Sequence, residues 1–140
     1  MSIKAKAALY TAAIIAAILL ALLFAPGSSK WLHAKEFEWK VRRQIDPASL
    51  QEWATNLLNQ HPPERGFYLN LRGTNLPPGV ADIKGYAPNV SIVIGDEHVP
   101  RVVLFGALGE PAILVGPTNF VSTNKETKLW KPGIYFREAH

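Results

Sequence analysis

The side chains that could bind a metal ion or act as acid and base are dispersed along this 140-residue chain. The densest group is Asp96-Glu97-His98, in a short loop between two apolar runs. Neighbouring side chains diverge, so three in a row rarely converge on one ion, and no histidine lies at metal-ligand spacing from another. We therefore predict a polar hairpin loop at this point, with no metal site and no bound cofactor.

No segment has the pattern of a nucleophile or of a phosphate-binding loop. Ser91 lies within an alternating apolar run, and nothing resembles the Gly-x-Ser-x-Gly turn that exposes a catalytic serine. The segment Gly106–Gly109 is too short to cradle a phosphate. The chain has no cysteine, which excludes thiol chemistry, disulfides and cysteine–zinc sites. We predict that the protein is not an enzyme, and an enzyme with a site assembled from scattered residues is the least favoured alternative.

The C-terminal third carries the most distinctive pattern, a set of aromatic residues around a proline-glycine turn. Pro132-Gly133 suits a type II turn, which takes proline at its second position and glycine at its third. Such a turn would bring Trp130 back against the strand that carries Tyr135, and Phe120 lies before the intervening polar loop. If exposed, these aromatics are candidates for binding a protein partner. If buried, they close one end of the core.

An uninterrupted apolar segment, Ala7–Ala25, predicts a membrane-spanning helix. Its 19 uncharged residues would extend about 28 Å, close to the hydrocarbon thickness of a bilayer. Pro26-Gly27 would end the helix at the interface. A cleaved signal peptide would share the basic start and the small residues at the end, but usually has a shorter apolar run. We predict a signal anchor, with residues 1–28 forming the N-terminal tail and a single transmembrane helix at 7–25.

Alanines recur at every fourth position of this apolar segment. Small residues at that spacing let two helices approach closely, which would allow the helix to self-associate. The alternative is that alanine is simply frequent in this segment. The two lines of alanines are Ala8, Ala12 and Ala16, and Ala13, Ala17, Ala21 and Ala25.

The basic character of the chain, formally +4, belongs to the flanks of the apolar segment. From His61 onward eight basic and seven acidic residues nearly cancel. A nucleic-acid surface would need a basic stripe on the domain, so we predict no nucleic-acid partner. Residues 29–45 form a basic juxtamembrane segment whose composition favours a helix, on the membrane surface or packed on the domain. The candidate contacts to anionic lipid are Trp31, Lys35, Lys40, Arg42 and Arg43.

The two flanks give opposite indications of orientation. The flank after the apolar segment has more lysine and arginine, which favours a cytoplasmic domain. However, Lys4, Lys6 and the free amino group resist export, and long domains translocate largely regardless of their charge. We predict a single-pass protein of the cell membrane with an extracytoplasmic domain.

Residues 46–140 predict one small α+β domain. Asp46 and Pro47 suit the N-cap and first turn of a helix whose apolar stripe extends from Leu50 to Leu58. Short apolar runs separated by turn residues then predict antiparallel strands, because helical crossovers would not fit between them. These runs are 67–71, 90–94, 101–105, 112–115 and 134–137. The predicted fold is a transmembrane helix followed by one or two helices packed on a mainly antiparallel, four- to five-stranded sheet.

Two C-terminal segments carry a resemblance: Val115-Gly116-Pro117-Thr118-Asn119-Phe120 and Trp130-Lys131-Pro132-Gly133-Ile134-Tyr135-Phe136. Together with the plan of an anchor followed by a domain, they resemble uncharacterised small membrane-anchored bacterial proteins, and this resemblance implies no activity. The plan is also similar to that of type IV pilins and pseudopilins. Here, however, the apolar run has no glutamate and Pro26-Gly27 interrupts the helix, which puts processing and filament assembly in doubt.

The functional prediction from the sequence is a membrane-tethered, non-enzymatic interaction or accessory module of a bacterial envelope. Its expected partners are the lipid bilayer and another membrane or envelope protein. The alternative is a pseudopilin-like assembly component.

Overall fold

The computed structural model describes residues 2–25, 28–62, 69–71, 76–83, 85–86, 88–95, 98–107 and 110–138. The chain divides into two compact units, Met1–Lys35 and Glu36–His140, which are described separately below. We refer to the first as the N-terminal unit and to the second as the folded unit.

Helix α1, Ile3–Leu23, forms most of the N-terminal unit. It begins ahead of the predicted Ala7, and the Ser2 side chain caps it by accepting a hydrogen bond from the Ala5 N–H at 3.2 Å. None of its residues is buried, although apolar side chains cover every side. By length and composition alone, α1 is long and apolar enough to cross a membrane, a criterion that signal sequences also meet. The predicted stop at Pro26-Gly27 lies outside the described residues.

Helix α2, Ser28–Gln44, confirms that the juxtamembrane segment is helical. It begins in the N-terminal unit and ends in the folded unit. Within the folded unit, Phe37, Val41 and the following Ile45 are almost fully buried, whereas Trp39 is 56% exposed. Burial at every fourth residue follows the helical period, so this part of the segment is packed on the domain. The folded unit therefore begins at Glu36, before the predicted domain boundary at Asp46.

Helix α3, Pro47–Gln60, is the predicted helix with its predicted cap. The Asp46 carboxylate accepts hydrogen bonds from the backbone N–H and the hydroxyl of Ser49, both at 2.9 Å. These bonds hold the pKa of Asp46 below its ordinary value. The apolar stripe faces the sheet, with three members buried and two partly buried: Leu50, Ala54 and Leu57, then Trp53 and Leu58.

The described strands form one antiparallel sheet in the order β1-β2-β3-β4-β6-β5. They are β1 Leu69–Leu71, β2 Val90–Ile94, β3 Pro100–Phe105, β4 Ala112–Val115, β5 Thr127–Lys131 and β6 Ile134–Arg137. The predicted α+β layout is confirmed, and each of the five predicted strands is present within the described residues. Residues 67–68 of the first lie outside them. The sheet has one strand more than predicted, because the polar segment of β5 forms a hairpin with β6.

One face of the sheet packs against α3 and the folded-unit part of α2. The Phe37 ring lies at the centre of this core, with its centroid 4.8 Å from Tyr86 and 5.2 Å from Phe105, both edge to face. Phe105 has a φ of +66, which a bulky residue rarely adopts. Strict alternation would place this ring on the opposite face, since Leu104 already lies in the helix-side core. The left-handed backbone turns the ring toward Phe37 instead.

Strand β5 forms one edge of the sheet. Lys128 and Lys131 are exposed, and Leu129 keeps 56% of its surface exposed. The pairing with β6 shifts between Leu129 and Lys131, so Trp130 is the extra residue of a β-bulge. Gly133, in the predicted turn, has a φ of +79, as the third position of a type II turn requires.

Candidate functional site

The three aromatics that were candidates for one binding surface lie on opposite faces of the sheet. Phe120 and Tyr135 lie on the face away from the helices and are only 2% and 8% exposed. Their ring centroids are 5.5 Å apart, edge to face, and the Tyr135 hydroxyl donates to the Phe120 carbonyl at 3.3 Å. This pair closes the core of that face and is not available to a partner.

Trp130 belongs to the helix side of the sheet. The bulge turns its indole onto Phe136, with stacked rings 5.2 Å apart, and the Arg42 guanidinium lies 5.7 Å from the indole centroid. The same guanidinium lies 5.2 Å from the Phe136 centroid. Alternation along β6 separates Tyr135 from the face on which Trp130 packs, so the three aromatics do not share one surface.

Lys40 and Arg42, two of the candidate lipid contacts, are engaged within the folded unit. The Lys40 ammonium lies 2.8 Å from the Glu36 carboxylate and 5.7 Å from the Tyr86 ring centroid. Arg42 binds Glu38 through two nitrogens, at 2.9 and 3.1 Å. Neither cation is free to turn toward a lipid phosphate without breaking these contacts.

Glu38 is the centre of a charge cluster that sequence analysis did not identify. Its carboxylate also accepts a hydrogen bond from the Lys128 ammonium of β5 at 2.9 Å, and its side chain is only 15% exposed. Burial alone would raise the pKa of Glu38, but the bonds from Lys128 and Arg42 outweigh burial and lower it. The spacing of Glu38 and Arg42 signals a helical ion pair. The contact with Lys128, ninety positions along the chain, has no local signal.

Arg43 and Trp39 form a different kind of pair on the exposed side of α2. The Arg43 guanidinium lies 4.7 Å from the centroid of the Trp39 ring. Both side chains are exposed, and Trp39 was not among the predicted lipid contacts. In the N-terminal unit, Trp31 and Lys35 are also exposed, as a lipid-facing role would require.

The described residues bring no three histidine, aspartate or glutamate side chains together at a distance suited to a metal ion. Asp96 and Glu97 lie outside the described part of the chain. His98, beside them, donates its backbone N–H to the Gly95 carbonyl at 3.0 Å and has a φ of 54. This turn joins β2 to β3, so the predicted hairpin between those two runs is confirmed.

An apolar groove of about 320 Å³ opens between the C-terminal half of α3 and the start of β3. Among the described residues, its lining includes no ionisable side chain. The lining residues are Thr55, Leu58, Asn59, Pro62, Pro100 and Pro117.

No family model matches this sequence, and comparisons with curated proteins and with solved structures found no match. The resemblance to small membrane-anchored bacterial proteins stays a prediction.

Proposed function

We propose that this protein is a membrane-tethered, non-enzymatic interaction or accessory module of a bacterial envelope. The observation that carries the proposal is α1, an uncharged helix from Ala7 onward whose leucine and isoleucine side chains are exposed on every side. An amphipathic helix would bury one stripe on its own domain, whereas a helix that is apolar all round requires an apolar environment. A bilayer provides that environment.

The tether would hold the folded unit at one membrane surface, outside the cytoplasm. Lys4 and Lys6 at the start of α1 favour retention of the N-terminus on the cytoplasmic side. The folded unit then crosses during biogenesis and stays attached, and its partner is another membrane or envelope protein within reach of the tether.

A non-enzymatic role is supported by what the described side chains do. Glu36, Glu38 and the cations that face them are engaged in ion pairs and ring contacts. The described lining residues of the groove beside α3 carry no ionisable group. These features suit a rigid surface for recognition more than a site that transfers protons or stabilises charge.

The tether is tested by expressing the full chain in bacteria and washing membranes with alkaline carbonate and with high salt. We expect the protein to stay in the membrane fraction with residues 2–25 uncleaved, as judged by intact-mass spectrometry. The double substitution Ile15→Lys with Leu19→Lys should release it, because each lysine at the centre of a spanning helix costs about 2.5–3.5 kcal/mol. A mature N-terminus after Ala25 would overturn the tether.

Orientation is tested separately with protease added to intact spheroplasts. Digestion of the folded unit without lysis supports an extracytoplasmic domain. Protection until lysis would place the folded unit in the cytoplasm, as the count of basic flanking residues favours. Co-purification from detergent, with the Ile15→Lys, Leu19→Lys variant as the control, then identifies partners that depend on the tether.

A further inference from the structure

Three basic side chains of α2 lie in the folded unit: Lys40, Arg42 and Arg43. Lys40 and Arg42 are held by glutamates and aromatic rings, as described above. Arg43 differs, because among the described residues its guanidinium forms no ion pair, and it lies 4.7 Å from the centroid of the Trp39 ring. A cation without an internal counter-ion keeps its full attraction for an external anion.

Trp39 is one of the large apolar side chains of the folded unit that stay exposed, together with Val121 and Leu129. It keeps 56% of its surface exposed, although Phe37 and Val41 on the same helix are almost completely buried. An amphipathic indole prefers the headgroup region of a bilayer, where its ring is partly dehydrated and its N–H finds acceptors. The guanidinium is well matched to phosphate, which it can bind through two parallel hydrogen bonds.

The sequence repeats this combination and places it close to the tether. Trp31 and Lys35 have the same spacing of four as Trp39 and Arg43, and only 15 residues separate Leu23, the end of α1, from Trp39. A chain held by α1 keeps the headgroup layer at a high effective concentration around these side chains, so even weak contacts are populated.

We propose that Trp39 and Arg43 form a lipid-binding pair that docks the folded unit on a surface of anionic lipid headgroups. This inference rests on the proposed membrane tether and adds a second, reversible contact to it. Trp39 enters the headgroup layer and Arg43 binds lipid phosphate. Docking consequently fixes which side of the folded unit faces away from the membrane toward a partner.

A lipid surface is the occupant that the chemistry favours over a second copy of the chain. Two copies meeting through this pair would bring one Arg43 close to the other, and like charges at close range repel. Anionic lipid supplies the missing negative charge instead. A basic side chain near such a surface contributes roughly 1 kcal/mol, which corresponds to about a fivefold change in the docked-to-undocked ratio.

The experiment uses the absence of cysteine from the chain, since one introduced cysteine is a unique labelling position. The full chain carrying Gln44→Cys, beside Arg43, is spin-labelled and reconstituted into phosphatidylcholine vesicles with or without phosphatidylglycerol. Collision with oxygen and with a water-soluble nickel chelate then reports how deeply the label lies. Asn59→Cys, exposed on α3, is the matched control position.

We expect the Gln44 label to lose nickel access in the anionic vesicles only, and to regain it at high salt. Arg43→Gln should lower the docked-to-undocked ratio about fivefold, and Trp39→Ala should also lower it. Lys125→Gln, which removes an exposed charge beside β5, should have no effect. Circular dichroism melts of each variant establish that the fold is intact.

Equal nickel access in both vesicles, or an Arg43→Gln variant that behaves like the parent, would overturn the docking proposal. Protection of the label in detergent without anionic lipid, together with cross-linked dimers, would assign this surface to a second copy and also overturn it. Carbonate extraction of the same samples keeps the two proposals distinguishable. If the protein resists extraction but does not dock, the tether proposal stands and only the proposed lipid-binding pair is overturned.

Discussion

Glu38 is the residue at which two distant parts of the folded unit meet. It joins Arg42, one turn along α2, to Lys128 on the edge strand β5. Arg42 extends the cluster to Trp130 and Phe136 through its planar face. One carboxylate therefore holds α2 against the hairpin that ends the sheet.

Replacing this carboxylate should show its contribution as a pH-dependent loss of stability. We expect Glu38→Gln to lower the free energy of unfolding by about 1 kcal/mol at neutral pH, a modest value because water screens the cluster. The folded-state pKa of Glu38 is lowered, so its contribution is complete above the ordinary glutamate pKa of about 4.3. It is lost as the pH falls through the lower pKa of the folded state.

The measurement is urea unfolding of the full chain in detergent, at neutral and at acidic pH. The free energies of unfolding of the parent and of Glu38→Gln should differ at neutral pH and become equal in acid. Glu36→Gln is the control, because Glu36 is 54% exposed in its pair with Lys40, and should cost only a few tenths of a kcal/mol. If the difference in unfolding free energy between the parent and Glu38→Gln is the same in acid, the ionised Glu38 carboxylate is not the source of that stability.

Features that depend only on neighbouring residues could be predicted from the sequence. The Asp46 cap and the turn at Pro132-Gly133 follow from the residue types alone and are confirmed. The Lys128–Glu38 contact could not be predicted, because it depends on how strand β5 lies beside α2. Whether Phe120 and Tyr135 are exposed or buried could not be predicted either. Alternation assigns side chains to a face of the sheet only after the strand pairing is known.

Some strands could be predicted from their residue types, whereas one depends on its pairing with a neighbouring strand. Strands β2, β3, β4 and β6 coincide closely with the predicted runs, because β-branched and aromatic residues are dense in them. The added strand, β5, has the sequence TKLWK, which carries little such signal and is ordered by its pairing with β6. In helix α2, composition alone favoured a helix, and the burial of Phe37, Val41 and Ile45 at every fourth residue follows the helical period.

Alanine substitutions on the buried and exposed sides of α2 should have very different effects on stability. Phe37→Ala removes a ring that is 1% exposed and packs edge to face on Tyr86 and Phe105. We expect the free energy of unfolding to fall by about 3–5 kcal/mol, because the neighbouring side chains cannot fill the cavity left by the ring. Trp39→Ala, on the same helix, should change stability by less than about 0.5 kcal/mol.

The comparison is made by thermal and urea melts of the full chain in one detergent, monitored by far-UV circular dichroism. A Trp39→Ala variant as unstable as Phe37→Ala would mean that the indole is buried in the native protein. That result would also remove it from the proposed lipid-binding pair.

For the molecule as a whole, composition and periodicity were enough to predict an apolar helix followed by a small α+β domain. The position at which the domain begins was harder to predict. Asp46-Pro47 is a strong helix start, and it places the boundary there if only local signals are considered. The buried residues before it, which belong to the same core, move the start of the folded unit to Glu36.

Two truncated chains test this boundary. A chain of residues 36–140 should unfold in one cooperative transition, whereas a chain of residues 46–140 should not. The shorter chain lacks three buried apolar side chains, each contributing roughly 1.5–3 kcal/mol. Together they match the whole stability of a typical domain, about 5–15 kcal/mol. A cooperative melt of residues 46–140 at the same temperature would restore the boundary at Asp46.

The exposed lysines of β5 would have a consequence if the proposed tether confines the protein to a membrane surface. Tethered chains diffuse in two dimensions, where collisions between copies are far more frequent than in solution, and an open sheet edge is a template for fibre-like stacking. Two β5 strands placed side by side would bring Lys128 and Lys131 of one copy toward those of the other, and like charges across a strand pair are unfavourable. The bulge at Trp130 further interrupts the regular row of backbone groups that such stacking needs. In the proposed membrane-tethered protein, the exposed lysines of this edge and the bulge beside them would therefore disfavour stacking between copies.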